Sequence, residues 1–291
     1  MKCFYHNDLD GRCAGSIVAQ YENDYNVNNY HEVDYIMDLS PMLNDIVENE
    51  KVYFVDYSFT EKTLWVLDSL INKNCDIIWI DHHNSSLELI KAHKELVLIN
   101  GIRLDGISGA GLTYMYLHNC GFDDIPYHVQ LVSDYDCWKF KFEPHTTYFK
   151  LGIESEDYDA LDLVWKELNT KSSLKKQVNS MLEKIISNGT AIKRYVDKDN
   201  EQYRKQFAYE SEICGYKALV VNRKTNSWIF GEEINNYPLV CVWVFNGSRY
   251  SYSIFSKYND VDCSKIAESF GGGGHKGAAG FGFGELLFKE V

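Results

Sequence analysis

Short apolar runs alternate with longer amphipathic stretches through the first half of the chain. Positions 52–55 and 77–80 are continuous apolar runs, whereas 12–21 and 60–72 repeat apolar residues at helical spacing. Buried strands alternating with helices are typical of a parallel sheet covered on both faces. The pattern therefore predicts an α/β fold, with an N-terminal, mostly parallel sheet and helices on both of its faces.

The same pattern predicts the remaining elements of this region. We expect further strands at 1–5, 33–37 and 96–99, and helices at 42–48, 87–93 and 109–118. A last apolar run at 129–132 leads into Ser133-Asp134-Tyr135-Asp136, where the two acidic residues can cap a helix or begin a turn.

The second half of the chain has a different pattern. It is mostly helical from about position 155, and one long amphipathic run covers 174–204, as an interdomain connection or as a plain bundle helix. Strands are expected at 218–221, 239–245 and 250–255, and a helix at 262–269. The predicted organisation is an α/β domain at 1–185, a helical linker at 186–211 and a smaller α+β domain at 212–291.

Composition and charge narrow the classes of partner. The 291 residues are 45% hydrophobic and 14% aromatic, typical of a globular protein. With 29 basic against 42 acidic residues, the formal net charge is -13. Proteins that bind long nucleic acids set many cations against phosphates, so we expect no long duplex as partner. A phosphate-bearing substrate must be small, or be held mainly by metal ions.

The cysteine pattern and the hydropathy of the chain predict where in the cell the protein is located. The eight cysteines are scattered singly, without a C-x-x-C pair, and are typical of reduced thiols in a cytoplasmic protein. The apolar runs are shorter than the roughly 18 residues of a membrane span, so no membrane partner is expected. The N-terminus becomes polar too soon for a signal peptide.

Polar residues follow the predicted strands where each strand ends. They occur in His6-Asn7-Asp8-Leu9-Asp10-Gly11, at Asp56, in Asp81-His82-His83 and at Asp134. Taken singly, each motif can be a turn, a helix cap or a pair of loop histidines. Taken together, they supply imidazole and carboxylate ligands without a thiolate, which favours Mn²⁺ or Mg²⁺. Two such ions, about 3.5–4 Å apart, can neutralise the charge that develops on a phosphoryl group.

A glycine-rich segment at 271–280 is the other candidate site. Backbone amides of Gly272, Gly273 and Gly274 can cradle a phosphate, with His275 as a neighbouring donor. A flexible turn or a closely packed bulge is the structural alternative. The helix expected before the segment, and His-Lys-Gly-Ala-Ala-Gly after its glycine run, favour the binding role.

These motifs, in this order, resemble those of the DHH phosphoesterase superfamily, in the branch with a DHH-associated C-terminal domain. Asp81-His82-His83 is similar to the motif that names the family, and 272–280 is similar to the G-G-G-H-x-x-A-A-G signature of its second domain. The resemblance implies that two Mn²⁺ ions, with Mg²⁺ as the alternative, are bound by His6, Asp8, Asp10, Asp56, His82 and Asp134.

The resemblance also implies roles for neighbouring residues. Asp56 would bridge the two ions, and His83 would face the substrate phosphate. Asp81 would orient one of the ligands without itself binding an ion. His275 and its glycines would bind a nucleotide. Relatives often carry an arginine where Phe255 stands, so Arg249 or Lys257 would supply that charge. Asp136 is not assigned to the metal centre.

The expected function is a two-metal phosphodiesterase that hydrolyses short oligonucleotides or linear or cyclic dinucleotides to mononucleotides. A RecJ-like single-strand exonuclease is disfavoured, because the chain has no basic stripe. A non-catalytic nucleotide-binding regulator is the alternative from a different class. Formation of a homodimer is left open.

Overall fold

The computed structural model describes residues 1–35, 37–170 and 180–288. The chain forms two compact units, Met1–Ile192 and Lys193–Val291. The boundary falls within a long helix, at a position inside the stretch predicted as a linker. The first part of the run predicted at 174–204 lies outside the described residues.

The first unit contains a four-stranded parallel sheet. Its strands are β1 (Lys2–His6), β2 (Tyr30–Val33), β3 (Lys51–Val55) and β4 (Asp76–Ile80), in the spatial order β2-β1-β3-β4. Tyr5 pairs with Val55, and Val55 pairs with Ile80, so three of the strands end at the same level. The residues that follow these strands are thereby brought to one edge of the sheet.

Helices cover both faces of this sheet, which confirms the predicted α/β class. The helices of this unit are α1 (Leu9–Glu22), α2 (Ser40–Leu43), α3 (Leu64–Asn72), α4 (Asn84–Ala92), α5 (Gly109–His118), α6 (Tyr127–Asp136), α7 (His145–Ile153) and α8 (Leu163–Asn169), and α9 (Ser180–Phe207) spans the unit boundary. Alternate strand residues point to opposite faces. Tyr53 and Val55 pack on the side of α1 and α5, whereas Phe54 packs on the side of α3.

Two predicted strands differ from the structure. The strand expected at 33–37 lies at Tyr30–Val33, since pairing with Cys3–His6 places its end level with β1. The strand expected at 96–99 is a 3-10 helix, Lys94–Leu98. Leu98 is 86% exposed, so this apolar run has little buried face to offer a sheet. Beyond β4, the described residues form isolated bridges alone, from Ile78 to Asn100 and from Asp81 to Arg103.

The apolar run at 129–132 lies inside helix α6. A short buried helix and a buried strand have the same apolar sequence pattern, so periodicity alone does not distinguish them. This difference matters for the site, because Asp134 and Asp136 stand in the last turn of a helix.

The second unit contains a six-stranded mixed sheet and a short helix. Its strands are β5 (Tyr209–Ile213), β6 (Tyr216–Asn222), β7 (Leu239–Phe245), β8 (Tyr250–Phe255), β9 (Gly273–His275) and β10 (Ala278–Phe283), in the order β5-β6-β7-β8-β10-β9. Helix α10 (Cys263–Glu268) packs on β9 and β10, and a 3-10 segment covers Ser227–Asn236. The α+β character expected here is confirmed. In the described part of the chain, every helix is too short or too polar to cross a membrane.

Candidate metal centre

Three strand ends bring histidine and aspartate side chains together. His6 ends β1, Asp56 follows β3, and Asp81-His82-His83 follows β4. Nε2 of His82 lies 3.3 Å from Oδ1 of Asp56. On the other side, Nδ1 of His6 lies 4.0 Å from Oδ2 of Asp56. Asp56 therefore stands between the two histidines, with one oxygen toward each.

Asp56 is the most unusual residue of this cluster. Its side chain is 1% exposed, yet neither carboxylate oxygen has a hydrogen-bond partner. Its φ of 55° lies in the left-handed region, which is costly for a residue other than glycine. Burial, followed by the charges of Asp10 and Asp8, raises the pKa of Asp56 well above its ordinary value. Two oxygens buried without partners, beside imidazole and carboxylate donors, fit a divalent cation.

Asp10 is held by the N-terminus of helix α5. The Gly109 amide donates to Oδ2 of Asp10 at 2.6 Å, and the Ala110 amide donates to Oδ1 at 3.0 Å. This end of a helix favours a negative charge. Gly109 is also required for space, because a Cβ there would lie 2.5 Å from Cβ of Asp56. Oδ2 of Asp10 lies 3.8 Å from Nε2 of His82.

Asp8 serves the fold and the cluster at once. Its Oδ1 accepts from the Gly11 amide at 2.9 Å, which caps helix α1, while its Oδ2 lies 2.8 Å from Nδ1 of His6. The interpretation of Asp8 as a helix cap is thus confirmed for one of its two oxygens. Because capping uses only that oxygen, the other remains beside His6.

Asp134 makes different contacts from those the sequence led us to expect. Its oxygens accept from the amides of Lys141 at 2.8 Å and Phe142 at 3.1 Å, and from the hydroxyl of Thr146. The carboxylate therefore fastens the loop after α6, and both of its oxygens are engaged.

Asp136 stands where Asp134 was expected. Its Oδ2 lies 3.3 Å from Nε2 of His82 and has no hydrogen-bond partner. Residues two apart on a helix point about 200° apart, so Asp134 and Asp136 face opposite ways. Burial, followed by the charges of Asp10 and Asp8, raises the pKa of Asp136 to about 8. If residues 127–136 are interpreted as a helix, the sequence alone shows that the two aspartates face opposite ways.

Asp81 holds His83 in a fixed orientation. Asp81 is fully buried and accepts from the hydroxyls of Ser58 at 2.9 Å and Ser86, while Nδ1 of His83 lies 2.7 Å away. Burial opposes ionisation of Asp81, but the hydrogen bonds from His83 and the two serines lower its pKa overall. Burial lowers the pKa of His83, but the hydrogen bond and charge of Asp81 outweigh it, so the pKa is raised.

Two side chains that sequence reasoning missed flank the cluster. The ring of Tyr35 lies 4.9 Å from that of His6 and 6.2 Å from that of His83, and Tyr35 is 45% exposed. Lys150 enters a cavity of about 300 Å³, lined by Asp8, Leu9, Asp10, Val132, Tyr135, Asp136, Lys150 and Glu154. Neither residue belongs to a motif, so the sequence offered no signal for them.

In the second unit, the glycine-rich segment forms the hairpin of β9 and β10. A Cβ on Gly272 would lie 2.2 Å from the Gly280 oxygen, and one on Gly274 would lie 2.5 Å from Cα of Ala279. These two glycines are therefore required by close approach of the strands. Gly273 and His275 are exposed, and a Cβ on Gly273 would meet no atom within 4 Å.

Arg249 lies at the far end of this sheet from His275. Pairing through β10 sets His275 level with Phe255, whereas Arg249 precedes Tyr250 at the other end of β8. The strand between them is about 20 Å long. Arg249 therefore does not join His275. Of Arg249 and Lys257, Lys257 lies nearer to the hairpin, because it follows Ser256, whose amide donates to the Gly277 oxygen.

Comparisons with known proteins agree with this architecture, although no family model matches the chain. An uncharacterized protein of Acanthamoeba polyphaga mimivirus is 28% identical over 280 residues, 90% of this chain and 61% of that protein. Oligoribonuclease NrnB of Bacillus subtilis (strain 168) is 23% identical over 297 residues, 95% of this chain and 71% of NrnB. The chain thus spans about two thirds of the length of these relatives.

Solved structures share the fold. A DHH domain described as a member of the s1p family of ribosomal proteins has a TM-score of 0.54 at 12% identity, covering 96% of this chain and 81% of that one. The pGpG-specific phosphodiesterase PggH from Vibrio cholerae has a TM-score of 0.50 at 10% identity, covering 98% and 94%. The chain therefore has the fold of this DHH domain, in agreement with the resemblance seen in its motifs.

Proposed function

We propose that the protein is a two-metal phosphodiesterase that hydrolyses short oligonucleotides or dinucleotides to mononucleotides. The observation that carries the proposal is Asp56, a buried carboxylate with two partnerless oxygens and one histidine on each side. Keeping such a group buried destabilises the fold unless a cation compensates it.

The donors around Asp56 divide into two sets. His6 and Asp8 lie with Oδ2 of Asp56 on one side, and His82, Asp136 and Asp10 lie with Oδ1 on the other. Asp56 is therefore the proposed bridge between two ions. Mn²⁺ suits nitrogen and oxygen donors, and Mg²⁺ is the alternative. In this assignment Asp136 takes the ligand role that the resemblance had given to Asp134.

When bound, the two ions would supply charge neutralisation and Lewis-acid polarisation for a phosphoryl group. His83 is the residue best placed to exchange a proton with substrate. Asp81 fixes its Nδ1, so Nε2 is the nitrogen left for substrate, and the raised pKa keeps the ring protonated to higher pH. Asp81 acts through His83 and is a positioning residue.

Charge and relatives together favour a short, linear nucleic acid as substrate. A net charge of -13 disfavours extended contact with phosphates, so the metal ions must offset most of the substrate's charge. NrnB is named an oligoribonuclease, and PggH is named a pGpG-specific phosphodiesterase. We therefore place linear dinucleotides and RNAs of a few nucleotides before cyclic dinucleotides.

The remaining substrate contacts are proposed from exposed aromatic and donor groups. Tyr35, half-exposed beside His6 and His83, offers a ring face on which a base can stack. In the second unit, His275 and the open backbone at Gly273 are proposed to bind nucleotide phosphate, with Gly272 and Gly274 shaping the hairpin.

The decisive experiment measures hydrolysis with Mn²⁺, Mg²⁺ and no added metal, after chelation. The substrates are pApA, pGpG, cyclic-di-AMP, pAp and a five-nucleotide RNA. We expect metal-dependent release of mononucleotides from the linear dinucleotides and the short RNA. Metal binding without turnover of any substrate would overturn the proposal in favour of a nucleotide-binding regulator. Degradation of long single strands in preference to dinucleotides would favour the RecJ-like alternative.

A further inference from the structure

Cys137 follows Asp136 at the C-terminal end of α6, and its thiol faces the metal centre. The sulfur of Cys137, a ring nitrogen of His82 and a carboxylate oxygen of Asp136 all lie within 4.8 Å of one another. The other seven cysteines are scattered along the chain, and the sequence pattern treats all eight alike, as reduced thiols. The structure separates Cys137 from the rest by what surrounds it.

A second observation points to a ligand at this place. Oδ2 of Asp136 and both carboxylate oxygens of Asp56 have no hydrogen-bond partner. Nε2 of His82 lies 3.3 Å from Oδ2 of Asp136 and 3.3 Å from Oδ1 of Asp56. Asp56 is almost fully buried. Partnerless oxygens therefore converge with a nitrogen and a sulfur, and this donor set is incomplete without a cation.

The spacing suits shared coordination. A metal ion binds thiolate at about 2.3 Å and imidazole at about 2.1 Å, so two such donors on one ion are about 3.6 Å apart at a tetrahedral angle. The sulfur and the nitrogen lie within 4.8 Å of each other, so a shift of at most about 1 Å brings them to that separation. Ordinary rotation of the half-buried Cys137 side chain can provide it.

We propose that Cys137 is a thiolate ligand of the ion held by His82 and Asp136. This inference rests on the proposed metal centre and adds a ligand to it. As the sulfur–metal bond forms, the thiol proton leaves to solvent. The set of His6, Asp8 and Asp56 supplies only nitrogen and oxygen. The two ion sites therefore differ in softness, and borderline or soft ions such as Co²⁺, Zn²⁺ and Cd²⁺ would prefer the one with the thiolate.

The test replaces the metal with Co²⁺ and measures the absorption spectrum of the full chain. Sulfur bound to Co²⁺ gives a charge-transfer band in the near ultraviolet, which nitrogen and oxygen ligands do not give. We expect the band in the wild type, its loss in Cys137→Ser, and its retention in the matched control Cys120→Ser, another half-buried thiol of the same unit. Zn²⁺ affinity should fall about tenfold or more in Cys137→Ser.

A second measurement needs no variant. The wild type is treated with iodoacetamide with and without Zn²⁺, and each cysteine is quantified by mass spectrometry. We expect Zn²⁺ to slow alkylation of Cys137 severalfold while leaving the half-buried Cys75 and Cys120 unchanged. Equal alkylation of Cys137 with and without bound Zn²⁺ would refute the ligand role.

The outcomes separate the two proposals. Visible Co²⁺ absorption without the charge-transfer band would leave the metal centre standing and remove Cys137 from it. Failure of the wild type to bind Co²⁺, Zn²⁺ or Mn²⁺ would overturn the metal centre and the thiolate ligand together.

Discussion

The two motif regions of this protein are built in opposite ways. At the strand ends of the first unit, Asp56 is buried, strained and without hydrogen-bond partners. In the hairpin of the second unit, Gly273 and His275 are exposed on a strand that is paired with β10. The first region therefore carries a cost that a bound cation would relieve. The second is a stable structure without one.

The difference shows how to weigh a motif. Packing explains Gly272 and Gly274 completely, since a side chain on either would strike the neighbouring strand. Packing does not explain Asp56, because an apolar or amide side chain would be more stable at that buried position. Burial without a partner is thus stronger support for function than a recognisable sequence signature.

The largest effect is expected for Asp56→Asn. Loss of the proposed bridge should lower kcat/KM more than about 100-fold, beyond the 10–100-fold typical of outer partners of a metal site. The metal-free variant should be more stable than the metal-free wild type, because the buried charge is removed and asparagine tolerates a positive φ. Activity assays, metal analysis and thermal unfolding measure the three quantities. Unchanged activity would refute the bridging role.

Asp134→Asn is the matched control for that comparison. Its carboxylate accepts three hydrogen bonds in the loop after α6, so the variant should lose about 1–3 kcal/mol of stability. Its metal content should stay that of the wild type, whereas Asp136→Asn should lose metal. If Asp134→Asn lost metal and Asp136→Asn kept it, the reassignment of the ligand would be wrong.

In the hairpin, the substitution Gly274→Ala should be strongly destabilising. Gly274 has a φ of 146°, and the new Cβ would meet Cα of Ala279 at 2.5 Å. Strain and overpacking together should cost about 2–4 kcal/mol in urea unfolding. Gly273→Ala, where the new Cβ meets no atom within 4 Å, should change stability by less than about 0.5 kcal/mol. Equal effects of the two variants would contradict the described hairpin.

His275→Ala tests binding by the same hairpin without altering its backbone. Loss of a hydrogen bond to a phosphate, worth about 1.5–3 kcal/mol, should raise KM about tenfold or more, at unchanged metal content. Arg249→Gln is the comparison, because Arg249 lies at the other end of β8 and should leave KM unaltered. A raised KM in Arg249→Gln alone would restore the role first expected for that residue.

The smallest effect concerns pH and metal-induced stability. The pKa of Asp136 is about 8 in the folded metal-free protein, against about 3.9 in an unfolded chain. Its contribution to stability is therefore complete below about pH 4 and is lost as pH rises through 8. The raised pKa values of Asp10, Asp56 and His83 act in the same direction. The lowered pKa values of Asp8 and Asp81 act only in acid.

A bound cation replaces the protons on these carboxylates, so it should stabilise the protein more at pH 8 than at pH 5.5. The increase in Tm on adding saturating Mn²⁺ should differ between the two pH values by at least about 2–4 °C, the shift that 1 kcal/mol produces in a chain of this size. Thermal unfolding at constant ionic strength measures it. An equal increase at both pH values would argue against protonated carboxylates at the centre.

Much of the fold could be predicted from the chain alone. Continuous apolar runs located β3 and β4, and helical spacing located α5 at its observed bounds. The strand predicted at 96–99 was wrong, because the local sequence pattern does not reveal whether a neighbouring strand is there to pair with it. The apolar run at 129–132 was placed among the strands and lies in a helix, because a buried helix and a buried strand share one apolar pattern.

The sequence alone places candidate metal ligands in the first unit. It supplied histidines and aspartates at successive strand ends, and parallel pairing must bring such ends to one edge. The folded chain decided which side chains face that edge. It directed Asp134 into a loop and Asp136 and Cys137 toward His82, because the direction of a side chain depends on the helix that carries it. It also left Asp56 without partners, since hydrogen bonding depends on neighbours that are distant in sequence.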